Sequence, residues 1–145
     1  MSGANPPTDL GRGLFLLDSI ALVGTLGERS HNAVLVSGSH GGVSAASFVV
    51  EHPHRPKVVF FNDAGGGKDD AGIAGLALLQ GIDVPACAYA HESARIGEAA
   101  DGLANGVISH LNAAALALDL RRGVRVSEAV RALMPGGDRQ DTTDV

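Results

Sequence analysis

Three consecutive segments of this chain repeat one order, in which a short apolar run is followed by a polar turn and then by a helix-like stretch. The apolar runs cover residues 33–36, 57–61 and 84–90. Two neighbouring parallel strands must be joined by a connection that crosses one face of the sheet, and this connection is usually a helix. Strands that alternate with helices are therefore typical of a parallel sheet. The order therefore predicts an α/β fold, a single three-layer domain with a mainly parallel sheet flanked by helices.

The rest of the chain fits one domain over residues 1–145, with flexible tails predicted at 1–9 and 138–145. Helices are predicted over residues 43–50, 72–80, 107–120 and 127–133. Residues 14–23 are apolar but interrupted by Asp18 and Ser19, so they form either a pair of strands or an amphipathic helix, with the strand pair favoured.

The composition indicates a core of small aliphatic side chains. Apolar residues make up 45% of the chain but aromatic residues only 3%, which suits helices packed closely on a parallel sheet. The Ala-rich stretch 113–118 suggests close helix packing between subunits, and we expect a homo-oligomer. The single cysteine, Cys87, lies in an apolar run and excludes an internal disulfide.

Charge and hydropathy exclude two classes of partner. A net charge of −5 without a basic block argues against nucleic acid, and no apolar run approaches the roughly 18 residues that a membrane span requires. The first residues lack the basic and apolar regions of a signal peptide. We therefore expect a cytoplasmic protein.

The turn after the second apolar run is the richest in polar groups. It contains Asn62 and Asp63, then the three glycines 65–67, then Lys68 and Asp69. Consecutive glycines suit a backbone that adopts positive φ or approaches a ligand closely. A phosphate-binding P-loop would need Ser or Thr after the lysine, so Asp69 argues against a nucleotide. Asp69 or Asp70 is instead predicted to cap the following helix.

The other two turns carry further candidates. Ser39 and His40 precede the glycine pair 41–42, whose amides could hold an oxyanion at a helix N-terminus, or the segment could be only a tight turn. The third turn supplies a possible base, nucleophile and anion anchor: His91, Ser93 and Arg95. Ser93 could alternatively cap a helix beginning at Ala94. His110 lies within the predicted helix 107–120 and is interpreted as a packing histidine.

The three turns follow parallel strands, so we expect them at one edge of the sheet, where α/β proteins bind ligands. The chain lacks a G-x-G-x-x-G fingerprint and a G-x-S-x-G elbow. No histidines or cysteines are spaced as metal ligands, and a magnesium site at Asp63, Asp69 and Asp70 is only an alternative. We predict no cofactor and no metal.

These candidates favour a small hydrolase-like enzyme acting on a compact polar metabolite that contains a carboxylate or an amide. Lys68, Asp63 and His40 would move protons, and Ser39 or Ser93 would be the nucleophile or an oxyanion donor. The substrate-binding residues would be Arg95, Asn62, Gly41, Gly42, Gly65, Gly66, Gly67, Asp69 and His91. The alternatives are a lyase or isomerase with Lys68 as base, and a non-catalytic anion-binding regulatory module.

Overall fold

The structure is a computed structural model that describes residues 5–66 and 68–134. Its strands are β1 (Thr8–Asp9), β2 (Leu14–Leu17), β3 (Val34–His40), β4 (Val58–Asn62), β5 (Ala86–Tyr89) and β6 (Ile108–Leu111). Its α-helices are α1 (Val43–Val50), α2 (Gly75–Gln80), α3 (Ala99–Asn105), α4 (Ala113–Leu116) and α5 (Val126–Leu133). Two 3₁₀ segments cover Ile20–Ser30 and Lys68–Asp70.

All six strands form one mixed sheet in the order β1-β2-β3-β4-β5-β6. Strands β2 to β5 are parallel, whereas β1 and β6 pair antiparallel with β2 and β5 at the two edges. The predicted α/β class and mainly parallel sheet are confirmed.

Two apolar clusters use alternate residues of the strands. Leu35 of β3 belongs to the cluster that includes Val49 of α1 and Leu79 of α2. Its neighbour Val36 belongs to the second cluster, with Val130 of α5. Successive side chains of a strand point to opposite faces of the sheet, and here both faces are covered by an apolar cluster. Strand β3 is therefore apolar at consecutive positions.

The predicted helix over 107–120 is wrong. Residues Ile108–Leu111 form β6, which pairs antiparallel with β5, and only Ala113–Leu116 is α-helical in this stretch. Short apolar runs do not distinguish helix from strand by periodicity alone. Pairing with β5 decides the conformation here, because it satisfies the backbone groups at the edge of the sheet.

Other predicted boundaries shift. The stretch 14–23 divides into strand β2 and the start of the first 3₁₀ segment, and α2 begins at Gly75 after a series of turns. Ala74 precedes α2 without a side-chain cap, so the predicted aspartate cap is wrong. Strand β1 occupies the end of the predicted flexible segment 1–9; residues 1–4 and the predicted tail 138–145 lie outside the described residues.

The parallel central strands end side by side. His40 at the end of β3 is in register with Asn62 at the end of β4, which is in register with Tyr89 at the end of β5. The three polar turns therefore leave the same edge of the sheet, as predicted. Within the described ranges, none of the helices has the length and apolar character needed to span a membrane.

Candidate functional site

Asp63 is a buried carboxylate at the carboxyl end of β4. Its side chain is only 8% exposed. Oδ1 accepts hydrogen bonds from the backbone amides of Gly65 at 2.7 Å and His91 at 3.0 Å. Oδ2 accepts a hydrogen bond from the Ser109 hydroxyl at 2.8 Å. The carboxylate thus joins the glycine-rich turn, the turn after β5 and strand β6.

These hydrogen bonds determine the charge of Asp63. Burial alone would raise its pKa, but the hydrogen bonds from the Gly65 amide, the Ser109 hydroxyl and the His91 amide, together with the charge of His91, lower it overall. Asp63 is therefore ionised at neutral pH. A carboxylate with a lowered pKa is a weak base, and it is suited to orienting and polarising its neighbours.

The His91 imidazole lies beside this carboxylate. Its Nδ1 is 3.4 Å from Asp63 Oδ1, while half of the side chain, 51%, is exposed. Gly65 has a φ of 75°, which favours glycine, and a Cβ at this position would be in ordinary van der Waals contact with the ring at 3.4 Å. A neutral imidazole that donates Nδ1–H to Asp63 presents Nε2 as a base.

Strand β6 adds two groups that the sequence analysis did not include in the site. Ser109 Oγ lies 2.9 Å from Nδ1 of His110, and that Nδ1 is 3.9 Å from Asp63 Oδ2. The His110 side chain is 41% exposed. Two imidazoles, those of His91 and His110, therefore lie close to the Asp63 carboxylate.

Ser109 and His110 are not among the predicted site residues, because residues 107–120 are predicted to be a helix. Both residues lie in a strand that is antiparallel to β5, and its polar side chains lie at the edge of the sheet. The pair of adjacent polar residues directly after Val107 and Ile108 is the signal that could have shown them.

His40 has the opposite hydrogen-bonding pattern. Its Nδ1 accepts a hydrogen bond from the Gly42 amide at 3.0 Å, and the residue is exposed. The neutral ring must therefore carry its proton on Nε2. The neutral His40 ring is therefore a hydrogen-bond donor at this edge of the sheet.

Both predicted nucleophilic serines bind backbone groups. Ser39 Oγ accepts a hydrogen bond from the Ile20 amide at 2.9 Å. Ser93 Oγ donates to the Ala90 carbonyl at 2.6 Å and accepts from the Val107 amide at 3.0 Å. The predicted helix cap at Ser93 is wrong, because α3 begins only at Ala99. Ser93 instead fixes the turn after β5 against the start of β6.

Asn62 is fully buried and connects the second and third turns. Its Nδ2 donates to the Ala94 carbonyl at 3.0 Å, and its Oδ1 accepts from the Ala64 amide at 2.8 Å. This side chain therefore stabilises the two turns on either side of Asp63.

The turn glycines donate their amides within the chain. Gly65 binds the Asp63 side chain and Gly66 binds the Asp63 carbonyl at 2.8 Å. Gly41 binds the Asn62 carbonyl at 3.2 Å, and Gly42 binds His40. Gly67 and the side chain of Asp69 lie outside the described residues.

The two predicted cationic residues are exposed. The Arg95 amide donates to Asp101 Oδ2 at 2.8 Å. The Asn105 side chain, this amide and the Arg95 charge lower the pKa of Asp101. Lys68 lies in the short 3₁₀ segment that follows the glycines. The structure thus brings Asp63 and His91 together, and Lys68 and Arg95 lie further along the same two turns.

Cys87 is buried in β5, and burial raises the pKa of its thiol to about 12. A thiol with this pKa is not a nucleophile at neutral pH. Across residues 5–66 and 68–134, no group of three or more histidine, cysteine or acidic side chains is arranged to hold a metal ion.

Comparisons with protein-family models, with curated proteins and with solved structures gave no match to this chain.

Proposed function

We propose that this protein is a small hydrolase-like enzyme acting on a compact polar metabolite that contains a carboxylate or an amide. In this proposal His91, oriented by Asp63, removes a proton from the attacking water. The observation that carries the proposal is the half-exposed His91 imidazole whose Nδ1 lies 3.4 Å from a buried carboxylate. A carboxylate that orients an imidazole is a recurrent arrangement for general base catalysis.

Water is the nucleophile in this proposal. The Ser39 hydroxyl accepts a hydrogen bond from a backbone amide, the Ser93 hydroxyl is bound to a backbone amide and a carbonyl, and none of these hydrogen bonds is to His91. Activation of Ser93 would break the hydrogen bond that its hydroxyl donates to the Ala90 carbonyl, which stabilises its turn. A water molecule beside His91 Nε2 needs no such rearrangement.

The other predicted residues have supporting roles. His40 donates Nε2–H toward the substrate, because its Nδ1 is bound to the Gly42 amide. Lys68 and Arg95 are the cations available for a substrate carboxylate, since the amides of Gly65 and Gly66 are bound within the chain. Asp63 orients His91 and does not move protons itself.

The proposal is tested by measuring ammonia release from a panel of small primary amides. Some of these amides also carry a carboxylate group and the others do not. His91→Ala should lower kcat by about 10² or more, the usual contribution of a general base. His31→Ala is the matched control, because His31 is also exposed but lies at the end of the 3₁₀ segment before β3.

Equal activity in the His91→Ala and His31→Ala variants would contradict the role of His91. A panel compound that raises Tm and is recovered unchanged would support a binding module and contradict the enzyme proposal. Loss of activity in Lys68→Ala, with His91→Ala active, would support the lyase or isomerase alternative.

We propose three further properties. The two apolar clusters favour a three-layer arrangement. The exposed Leu116 of the Ala-rich helix α4 favours a homo-oligomer. The single buried cysteine fits a reducing compartment such as the cytoplasm.

A further inference from the structure

The Ser109 hydroxyl lies between Asp63 and His110. It has one hydrogen to donate, and its two acceptors are Asp63 Oδ2 at 2.8 Å and the Ala88 carbonyl at 3.3 Å. The carboxylate is both closer and charged, so it receives the hydrogen. The remaining contact of Ser109 Oγ, to His110 Nδ1 at 2.9 Å, must then be a hydrogen bond that the imidazole donates.

This assignment fixes the tautomer of His110. A neutral imidazole that donates from Nδ1 leaves its Nε2 lone pair unprotonated, as in His91. The two rings approach opposite oxygens of one carboxylate, with Nδ1 of His91 3.4 Å from Oδ1 and Nδ1 of His110 3.9 Å from Oδ2. Both side chains are partly exposed, so both rings are accessible to a substrate beside Asp63.

We propose that Asp63 anchors a second imidazole, that of His110, through the Ser109 hydroxyl, and that His110 is the general acid of this site. The catalytic part of this inference rests on the proposed hydrolysis. Ser109 is a positioning residue, because it acts through His110.

Two imidazoles suit the hydrolysis of an amide better than that of an activated ester. His91 accepts a proton from water while the water oxygen bonds to the carbonyl carbon. His110 takes up a proton from solvent on its free Nε2 and, as the carbon–nitrogen bond breaks, gives that proton to the leaving nitrogen. The products are a carboxylic acid and an amine, and proton exchange with solvent restores both rings. We therefore infer that the substrate class is a carboxamide, whose nitrogen leaves only when protonated.

The tautomers can be measured without a substrate. Long-range ¹H–¹⁵N spectra at a pH of about 8, where imidazoles are largely neutral, should show Nδ1–H for His91 and His110 but Nε2–H for His40. In Ser109→Ala, His110 should change to Nε2–H while His91 and His40 stay unchanged. Ser109→Thr keeps the hydroxyl and should restore the wild-type tautomer of His110.

A wild-type spectrum with His110 as the Nε2–H tautomer would overturn the anchoring, even if the Ser109 variants did not fold. The same conclusion would follow if the His110 tautomer were identical in the wild type and in folded Ser109→Ala.

The acid role of His110 is tested with His110→Gln on two substrates. One is an amide that the wild type hydrolyses, and the other is the p-nitrophenyl ester of the same carboxylic acid. The amide rate should fall by about 10² or more, and the ester rate by less than about tenfold, because p-nitrophenolate leaves without a proton. Equal losses on both probes would overturn this role. If the wild type hydrolyses neither probe, the proposed function fails, whereas the tautomer spectra still decide the anchoring.

Discussion

The role of Asp63 follows from its hydrogen bonds more than from its burial. The side chain accepts three hydrogen bonds, from the Gly65 and His91 amides and from the Ser109 hydroxyl. Each donor favours the ionised form, and together they outweigh the desolvation that opposes it. The residue therefore combines a buried position with a negative charge at neutral pH, which makes it a suitable anchor for His91.

Asp63 should contribute stability that depends on pH. Because its folded pKa lies below that of an unfolded aspartate, about 3.9, the contribution is complete above that value and is lost as pH falls through the lower folded pKa. We expect Asp63→Asn to lower the free energy of unfolding at pH 7 by about 1–3 kcal/mol, the usual cost of leaving buried donors unsatisfied. Urea titrations across pH 7 to about 2.5 would measure this.

The difference between the wild type and Asp63→Asn should shrink in the acid part of that range. Asp83→Asn is the matched control, since Asp83 is exposed and its positive φ of 59° suits asparagine equally well. A difference for Asp63→Asn that stays constant down to the lowest pH would contradict a lowered pKa.

Asp63 and His91 can be identified from the sequence as site residues, because polar side chains that follow buried strands are conspicuous. Their contact is not predicted, because they are 28 positions apart in the sequence and the pairing of β4 with β5 brings them together. Ser109 and His110 were interpreted as helical, and the antiparallel pairing of β6 is what brings them to Asp63.

At the scale of elements, Asn112 shows why the predicted helix 107–120 is divided. Its buried side chain donates to the carbonyls of Leu76 and Val84, and accepts from the amides of Ala86 and Ala115. The bond to Ala115 caps α4, and the other three bind Leu76 in the first turn of α2 and the residues at the start of β5. This residue therefore ends β6 and begins α4, through partners that are distant in sequence.

The end of β3 packs closely against the segment that leads into α3. A Cβ on Gly38 would lie 2.6 Å from the Glu98 nitrogen and the Gly97 carbonyl carbon, and 2.9 Å from the Asp18 carbonyl oxygen. All three neighbours are backbone atoms, so they cannot move aside as a flexible side chain could. We expect Gly38→Ala to destabilise the fold by about 1–3 kcal/mol, as overpacking does, with denaturant unfolding as the measurement.

Gly24→Ala is the matched control for this prediction. A Cβ at position 24 meets no atom within 4 Å, and the glycine has no positive φ. Its replacement should be neutral or stabilising by up to about 1 kcal/mol. Equal unfolding midpoints for the two variants would show that β3 and the segment before α3 are not in close contact.

At the scale of the whole molecule, the homo-oligomer stays a prediction. Helix α4 carries the exposed Leu116, and large apolar side chains are also exposed on other elements: Val43, Phe48, Leu78 and Ile96. We expect sedimentation at micromolar concentration to show an oligomer that Leu116→Asp weakens, because a charge buried in an apolar interface is costly. A strict monomer in the wild type would contradict the prediction.

The amino-acid sequence by itself determined the α/β class, the parallel order of the central strands and the edge at which the polar turns lie. These features depend on local patterns, namely apolar runs, glycine-containing turns and the connections that parallel strands require. Only the tertiary structure decided that 108–111 is a strand and that Asp63 meets Ser109 and His110. Such contacts depend on which backbone groups find partners across the sheet, and the hydrophobic pattern of a short segment does not contain that information.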